Sequence, residues 1–171
     1  MLKFPISAQD QKQGNENAIL QLVEFGDYEC PHCGTAYPII KELQKNFGNK
    51  LLFVFRNFPL VDMHPNAYPA AQVAEAAGLQ HKFWPVHDII FENQQSLSIS
   101  RLLKYAEKAG VNIEQLVVQM NAQKIVDKIE MDMEGGARSG VNGTPTFFIN
   151  GKRYDGDYDF ESMKSFLSSL L

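Results

Sequence analysis

The sequence predicts an α/β domain with a helical insertion, and three features of the 171 residues carry this prediction. Two apolar, β-prone segments at 19–25 and 51–58 flank an amphipathic helix that begins at Pro31, which is typical of a parallel βαβ unit. A long stretch of helical periodicity follows. A strand at 146–150, an Asn-Gly turn and a helix at 160–171 then complete the fold. We therefore expect an N-terminal extension over 1–18, a first half over 19–65, a helical insertion over 66–137 and a second half over 138–171.

The first half centres on the strand and the helix that meet near position 30. Residues 19–25 (Ile-Leu-Gln-Leu-Val-Glu-Phe) are apolar enough for a buried strand, whereas residues 1–18 are polar and are expected at the surface. Pro31 suits the first position of a helix, where a missing N–H costs nothing, and Gly48 suits its end. The predicted helix carries an apolar stripe of Ala36, Ile39, Ile40, Leu43 and Phe47.

The insertion is predicted to be entirely helical. Asn112 followed by Gln115 predicts a capping box at its fourth helix. Three aromatic residues are expected to form the core of the insertion, and the acidic run 130–134 is expected to be a solvated helix face. The aromatic residues are Phe83, Trp84 and Phe91. The predicted helices cover about 70–78, 83–91, 99–109, a short segment from 112, and 122–133.

Composition and charge exclude two classes of function. The net charge is −4 and the isoelectric point is about 5.5, whereas phosphate binding needs a basic face, so we expect no nucleic-acid partner. No apolar run of roughly 18 residues is present, so we expect no membrane span. The first residues lack the apolar stretch of a signal peptide, which predicts a cytoplasmic location; a cell-envelope location stays open if a signal was removed.

The two cysteines, Cys30 and Cys33, lie three positions apart at the start of the predicted helix. There the first sulfur faces unpaired N–H groups and the positive end of the helix dipole, which stabilise a thiolate. The imidazolium of His32 would add a second positive charge beside Cys30, and such thiols have pKa values of about 3.5 to 7.5. The second sulfur is one turn away on the same face and can close a disulfide with the first. The spacing therefore predicts a redox-active pair.

Two other uses of a cysteine pair are less consistent with the sequence. Zinc would need two further ligands, and His64, His81 and His87 lie in separate segments without a recognisable ligand spacing, so no metal is expected. Covalent haem attachment needs a histidine directly after the second cysteine, and position 34 is Gly. We expect no cofactor beyond a Cys30–Cys33 disulfide.

Three segments resemble signature segments of the DsbA-like branch of the thioredoxin superfamily, and the resemblance covers nearly the whole chain. It implies a thioredoxin fold with a helical insertion. It also implies a protein thiol–disulfide oxidoreductase that acts on cysteine-containing protein substrates and is recycled by a redox partner that the sequence does not identify. The segments are Phe25-Gly26-Asp27-Tyr28-Glu29-Cys30-Pro31-His32-Cys33, Arg56-Asn57-Phe58-Pro59-Leu60 and Gly143-Thr144-Pro145-Thr146-Phe147-Phe148.

The resemblance also assigns roles within the site. Cys30 attacks or is attacked and Cys33 resolves, with Pro31 and His32 completing the catalytic motif. Thr144 offers its backbone to a bound peptide, and Pro145 is cis and lies against the disulfide; X-Pro is the one bond where cis is cheap.

Glu24 is a further candidate catalytic residue, because it is a charged residue within an apolar strand. The resemblance implies a buried acid beneath Cys33 that moves protons, and burial would raise its pKa. Strand alternation leaves open that Glu24 points to the surface. Arg56, near the end of the neighbouring strand, is a candidate ion-pair partner for it.

Two rival functions remain open at this point. One is a cytosolic dithiol reductase, or a peroxide- or glutathione-linked enzyme on the same scaffold. The other is a non-catalytic peptide-binding module, such as a chaperone or a zinc-dependent adaptor, that has kept the dithiol. The sequence does not give the direction of electron flow, although Cys-Pro-His-Cys favours an intrinsically oxidising pair.

Overall fold

A computed structural model describes residues 1–171 as a five-stranded sheet with seven α-helices. The strand order is β1-β3-β2-β4-β5; β2 and β3 are parallel and the other pairs are antiparallel. The predicted βαβ unit therefore forms the centre of the sheet. The strands are β1 (Gln11–Gly14), β2 (Leu20–Gly26), β3 (Leu51–Asn57), β4 (Thr146–Ile149) and β5 (Lys152–Tyr154).

The helices form where periodicity, prolines and glycines predict them. The long helix after β2 starts at Pro31 and stops before Gly48, whose φ of 52° is a conformation that glycine adopts freely. At the fourth insertion element, Asn112 accepts a hydrogen bond from the Gln115 N–H, although Gln80 supplies the reciprocal acceptor. The helices are α1 (Pro31–Phe47), α2 (Ala67–Gly78), α3 (Phe83–Glu92), α4 (Ile99–Lys108), α5 (Ile113–Gln119), α6 (Gln123–Arg138) and α7 (Phe160–Ser169).

The sheet buries apolar side chains on both faces. Alternate residues of β2 and β3, such as Leu22 and Phe53, join the larger core with α1, α7 and the inner faces of the insertion. Phe83 and Phe91 belong to this core and Trp84 packs against it. The opposite face of the sheet carries a smaller apolar cluster. None of the helices is long and apolar enough to cross a membrane. The smaller cluster comprises Ala18, Val23, Phe25, Leu52, Val54, Val141 and Phe148.

Two expectations about polar segments are wrong. The N-terminal extension does not lie entirely at the surface, because β1 adds an edge strand to β3 and Asp10 is buried. Within the acidic run 130–134, Asp132 is only 3% exposed. Its carboxylate accepts hydrogen bonds from Lys128 Nζ, at 2.6 Å, and from the Asn57 N–H, at 3.0 Å. Both acids are buried because a cation lies beside each of them, which periodicity alone does not indicate.

Candidate active site

The cysteine pair lies at the junction between β2 and α1, at the carboxyl edge of the central parallel strands. Cys30 is the N-cap residue of α1, and Pro31 occupies the first helical position. The Cys30 carbonyl accepts the first intrahelical hydrogen bond from the Gly34 N–H, at 3.1 Å. Both cysteines are free thiols, with Cys30 4% exposed and Cys33 fully buried. The local sequence therefore places one sulfur at the helix end and the other beneath it.

The surroundings give the two thiols opposite acidities. A hydrogen bond from Cys33 to the Cys30 sulfur outweighs burial and, with hydrogen bonds from the Cys33 and His32 backbone, lowers the pKa of Cys30 from 9.0 to about 5. Burial raises the pKa of Cys33 well above its usual value. Cys30 is therefore a thiolate at neutral pH and Cys33 a thiol, which is the division that disulfide exchange needs.

The segment before β4 lies against Cys30. The Thr144–Pro145 peptide bond is cis. The Cys30 sulfur lies 3.6 Å from the Thr144 carbonyl oxygen, and both Thr144 and Pro145 are partly exposed beside it. The buried Thr144 hydroxyl meets no protein partner at hydrogen-bond distance. The Thr144 carbonyl and the cis Pro145 therefore form the wall of the site next to Cys30.

Glu24 lies on the face of β2 that supports the cysteines, and it does not point to the surface. It is 3% exposed, and its Oε1 has no hydrogen-bond partner. Burial, followed by the negative charge of Cys30, raises the pKa of Glu24 to about 8. Its charge in turn contributes to the raised pKa of Cys33. Glu24 therefore holds a proton near neutral pH.

Arg56 does not pair with Glu24, and strand alternation explains why. Leu20 and Leu22, two and four residues before Glu24, belong to the larger core, so Glu24 lies on that face of β2. Arg56 lies two residues after Val54, which belongs to the smaller cluster, so Arg56 is on the opposite face. There its Nε and Nη2 donate to the two Asp10 oxygens at 2.8 Å. The expected ion pair is therefore wrong. Glu24 lies opposite Phe55, and Arg56, one residue further along β3, points to the other face of the sheet.

His32 is exposed between the cysteines, and a residue from the second half of the fold contacts its ring. The Tyr158 hydroxyl lies 3.2 Å from His32 Nδ1. The contribution that His32 makes to lowering the pKa of Cys30 comes through its backbone N–H. The motif therefore acts on Cys30 partly through main-chain groups that any residue at position 32 would provide.

The helical insertion is hydrogen-bonded to the Cys30 turn through Gln94, a residue that the sequence did not single out. Gln94 Nε2 donates to the Tyr28 carbonyl at 3.0 Å and to the Cys30 carbonyl at 2.6 Å. A Cβ at Gly34 would collide with the Gln94 amide. Gly34 thus makes room for the side chain that ties the insertion to the site.

Asp27 and His64 are also parts of the site that the sequence did not single out. The Asp27 carboxylate accepts from the Cys30 N–H at 3.2 Å, and one of its oxygens lies 2.8 Å from His64 Nδ1. Position 27 lies in a quoted signature segment, so its closeness to Cys30 could have been read from the sequence. The partner at position 64 could not, because a separate loop carries it.

The remaining histidines have separate surroundings. His87 is buried and lies 2.9 Å from the Tyr28 hydroxyl, and burial lowers its pKa well below the usual value. His81 is exposed in the turn after α2. No group of three or more His, Cys, Asp or Glu side chains is arranged to hold a metal ion.

Fold and site together define a thioredoxin-fold protein with a dithiol at a helix N-terminus. The chain belongs to the Thioredoxin family, whose pattern matches residues 7–169.

Curated relatives share this segment but are much longer. The chain is 39% identical over 160 residues to Na(+)/H(+) antiporter NhaA 1 of Salinispora arenicola, covering 94% of this chain and 24% of that protein. It is 41% identical over 156 residues to Na(+)/H(+) antiporter NhaA 1 of Mycolicibacterium vanbaalenii, covering 90% and 25%. The chain thus spans about a quarter of the length of these relatives.

Solved structures confirm the thioredoxin-like fold. A thioredoxin-like oxidoreductase from Silicibacter pomeroyi superposes with a TM-score of 0.86 at 24% identity, covering 95% of this chain and 92% of that one. The thiol-disulfide exchange protein alpha-DsbA2 from Wolbachia pipientis gives 0.86 at 24% identity, covering 96% and 88%.

The expected cytoplasmic location is wrong. The matching relatives are named Na(+)/H(+) antiporters. The expectation relied on the first residues, which carry no information about location when the matched relatives are about four times as long.

Proposed function

We propose that the chain is a protein thiol–disulfide oxidoreductase that exchanges disulfides with cysteine-containing proteins through Cys30 and Cys33. The observation that carries this proposal is the asymmetry of the pair: Cys30, 4% exposed at the helix N-terminus, has a pKa of about 5, and Cys33 is fully buried with a raised pKa. A structural disulfide or a metal site needs no such division, whereas exchange needs one good leaving group at the surface.

In the oxidising direction, a substrate thiolate attacks Cys30 Sγ of the Cys30–Cys33 disulfide. The bond between the two cysteines breaks, Cys33 leaves with the electron pair, and a mixed disulfide joins the substrate to Cys30. A second substrate thiolate then attacks the substrate sulfur of that bond and releases the Cys30 thiolate. The substrate loses two electrons and the chain gains them. A redox partner that the structure does not identify must remove them again.

Glu24 is proposed to supply and recover the proton of Cys33. The departing Cys33 sulfur is buried and has a raised pKa, so it needs a proton. Glu24 is buried on the same face of the sheet and holds a proton near neutral pH. The unpartnered Glu24 oxygen is consistent with this role, since no other side chain fixes its charge.

The substrate site is proposed to be formed by Thr144 and the cis Pro145. The Thr144 carbonyl lies beside the Cys30 sulfur and Thr144 is a partly exposed residue, so an extended substrate segment can pair with it while its cysteine meets Cys30. Pro31 and His32 complete the exposed side of the motif. The insertion, proposed over 66–137, supports the site through Gln94.

The direction is proposed to be oxidative. A leaving group with a low pKa departs readily, and its thiolate stabilises the reduced protein, so the disulfide is a strong oxidant. The Cys30 pKa of about 5 favours this poise. The equilibrium reduction potential against glutathione tests it, and a value near that of reductive dithiols would favour the reductase alternative.

The deciding experiment traps the mixed disulfide. Purified Cys33→Ser, treated with a peptide that carries one activated disulfide, should accumulate a peptide adduct at Cys30 because no resolving thiol remains. Cys30→Ser is the matched control and should stay unmodified, since Cys33 is buried with a raised pKa. Peptide mapping by mass spectrometry locates the adduct. Equal yields from the two variants would contradict the proposed roles.

A further inference from the structure

The carboxylate of Asp27 is fully buried in the turn before Cys30, and polar groups surround it. Its Oδ1 accepts from the Glu29 N–H at 2.7 Å and from the Cys30 N–H at 3.2 Å. Its Oδ2 accepts from the Leu60 N–H at 2.8 Å and lies 2.8 Å from His64 Nδ1. One carboxylate therefore ties the cysteine turn to the loop that follows β3.

The same residue contacts the second cysteine through its main chain. The Asp27 N–H donates to the Cys33 sulfur over 3.5 Å. Asp27 is thus hydrogen-bonded to Cys30 through its side chain and to Cys33 through its backbone N–H. A shift of this residue would move the reactive turn relative to both sulfurs.

We propose that Asp27 and His64 form a positioning pair, in which the buried carboxylate fixes the cysteine turn and the imidazolium cancels its negative charge beside the thiols. This inference rests on the proposed function and adds to it two residues that set the reactivity of Cys30.

The charge balance explains why a cation is needed at position 64. A buried carboxylate bonded to the Cys30 N–H disfavours a thiolate on the same residue, because like charges at this range oppose each other. A positive charge on His64, 2.8 Å from Asp27, removes most of that penalty. The pair then contributes its hydrogen bonds to the site without a net charge.

The groups around His64 favour its protonated form. Burial acts to lower the pKa of His64, but the hydrogen bond and the charge of Asp27 outweigh it, and the negative charges of Cys30 and Glu29 add to them, so the pKa is raised above 6.5. Linkage is reciprocal: if the Cys30 thiolate stabilises the imidazolium, the imidazolium stabilises the thiolate equally.

A charge substitution separates this role from simple structural support. His64→Gln keeps a hydrogen-bond donor for Asp27 but removes the cation. The thiolate absorbance of the reduced protein, followed against pH, should then show the Cys30 midpoint rising by about half a unit to one unit, less than for a cation in direct contact with the thiol. His81→Asn is the matched control, since it removes an exposed histidine from a turn, and it should leave the midpoint unchanged.

The double variant Asp27→Asn/His64→Gln restores neutrality beside Cys30. Its midpoint should return close to that of the unmodified protein, because both charges are gone. A merely structural pair predicts the reverse, with the double variant at least as displaced as the single one. No shift in His64→Gln, or no return in the double variant, would overturn the proposal.

A measurement on the unmodified protein decides the matter even if these variants fold poorly. The NMR titration of His64 should show a higher pKa in the reduced protein, where Cys30 is a thiolate, than in the oxidised protein, where that charge is absent. Equal values in the two redox forms would overturn the proposal. Neither titration needs a substrate, so the result is independent of the adduct experiment that tests the function itself.

Discussion

Two regions of the molecule bury acidic side chains, and they do so in opposite ways. Away from the cysteines, Glu75 and Asp132 are each 3% exposed and face a cation. Lys128 Nζ lies 2.6 Å from Asp132 Oδ2 and 3.8 Å from Glu75 Oε2. Asn57 Nδ2 donates to both carboxylates and Gln11 Nε2 donates to Glu75. The carboxylate oxygens are therefore held by several partners.

Glu24 is as buried as those two acids but has no such partners. Its Oε1 accepts no hydrogen bond, and Arg56, a nearby cation, lies on the other face of the sheet. A buried and unpartnered carboxyl group costs stability and avoids part of that cost by staying protonated. The molecule therefore compensates the buried charges of Asp132 and of Asp27 with cations and hydrogen bonds, whereas it leaves Glu24 uncompensated beside the reactive sulfurs.

Removal of the cation from the paired region should give the largest change in stability. Lys128→Met leaves two buried carboxyls without their cation, and we expect a loss of about 3–5 kcal/mol in the free energy of unfolding. Urea unfolding measures this loss. The Cys30 thiolate titration of the folded variant should stay unchanged. Lys124→Met, at an exposed position one turn earlier on α6, is the control and should cost little. Similar losses from both variants would show that the paired region is not a compensated cluster.

Neutralising the unpartnered acid should affect catalysis. Glu24→Gln removes the proposed proton carrier, so the steps that protonate or deprotonate Cys33 should slow by about tenfold to hundredfold. General acid–base catalysis typically contributes at least about a hundredfold, so this is a modest effect. Stopped-flow measurement of the reduction of the Cys30–Cys33 disulfide tests this. Glu42→Gln, exposed on α1, serves as the control. An unchanged rate in Glu24→Gln would assign Glu24 to the same purely structural class as Glu75.

The stability of the oxidised unmodified protein and that of the reduced Glu24→Gln variant should depend on pH with opposite signs. The pKa of Glu24 is raised from 4.5 to about 8, so the stability that its neutral form retains is lost as pH rises through that window. The pKa of Cys30 is lowered from 9.0 to about 5, so the stability that its thiolate contributes is lost as pH falls from 9 to 5.

Urea unfolding at a series of pH values checks these signs. The oxidised protein, in which Cys30 does not titrate, should lose stability between pH 5 and pH 8. Reduced Glu24→Gln should gain it over the same interval. Identical slopes in the two samples would mean that one of the two assigned shifts is wrong.

The smallest effect should follow from His32→Ala. Alanine keeps the main-chain N–H that His32 directs at Cys30, so the thiolate midpoint should rise by about half a unit or less. The difference in melting temperature between reduced and oxidised protein should narrow accordingly. A shift larger than that of His64→Gln would place the main cation of the site at position 32 instead of position 64.

The sequence predicts those parts of the fold that local rules govern. Pro31 and Gly48 bound α1 because each suits one end of a helix. The strands at 20–26 and 51–57 follow from apolar runs, and the Asn150-Gly151 turn joins β4 to β5. The cysteine spacing likewise predicts the reactive pair.

Partners that come from distant segments could not be predicted in this way. The polar residues 11–14 form β1 only because β3 offers an unpaired edge. Asp10 reaches Arg56 across the chain, and His64 reaches Asp27 from another loop. In each case a tertiary contact overrides a local pattern that reads as a solvated segment, and one sequence offers no signal for the pairing.

The hydrogen bonds of Gln94 to the cysteine turn limit which residues around the two cysteines can be changed. Pro31 and His32 are exposed, so this dipeptide can be exchanged to tune the redox potential without disturbing the packing beneath it. Gly34 offers no such freedom, because any larger residue would push against the Gln94 amide. That amide donates to the Tyr28 and Cys30 carbonyls, so a variant at position 34 would loosen the insertion from the turn. A library built on this scaffold should therefore vary the two residues between the cysteines and keep the glycine that follows them.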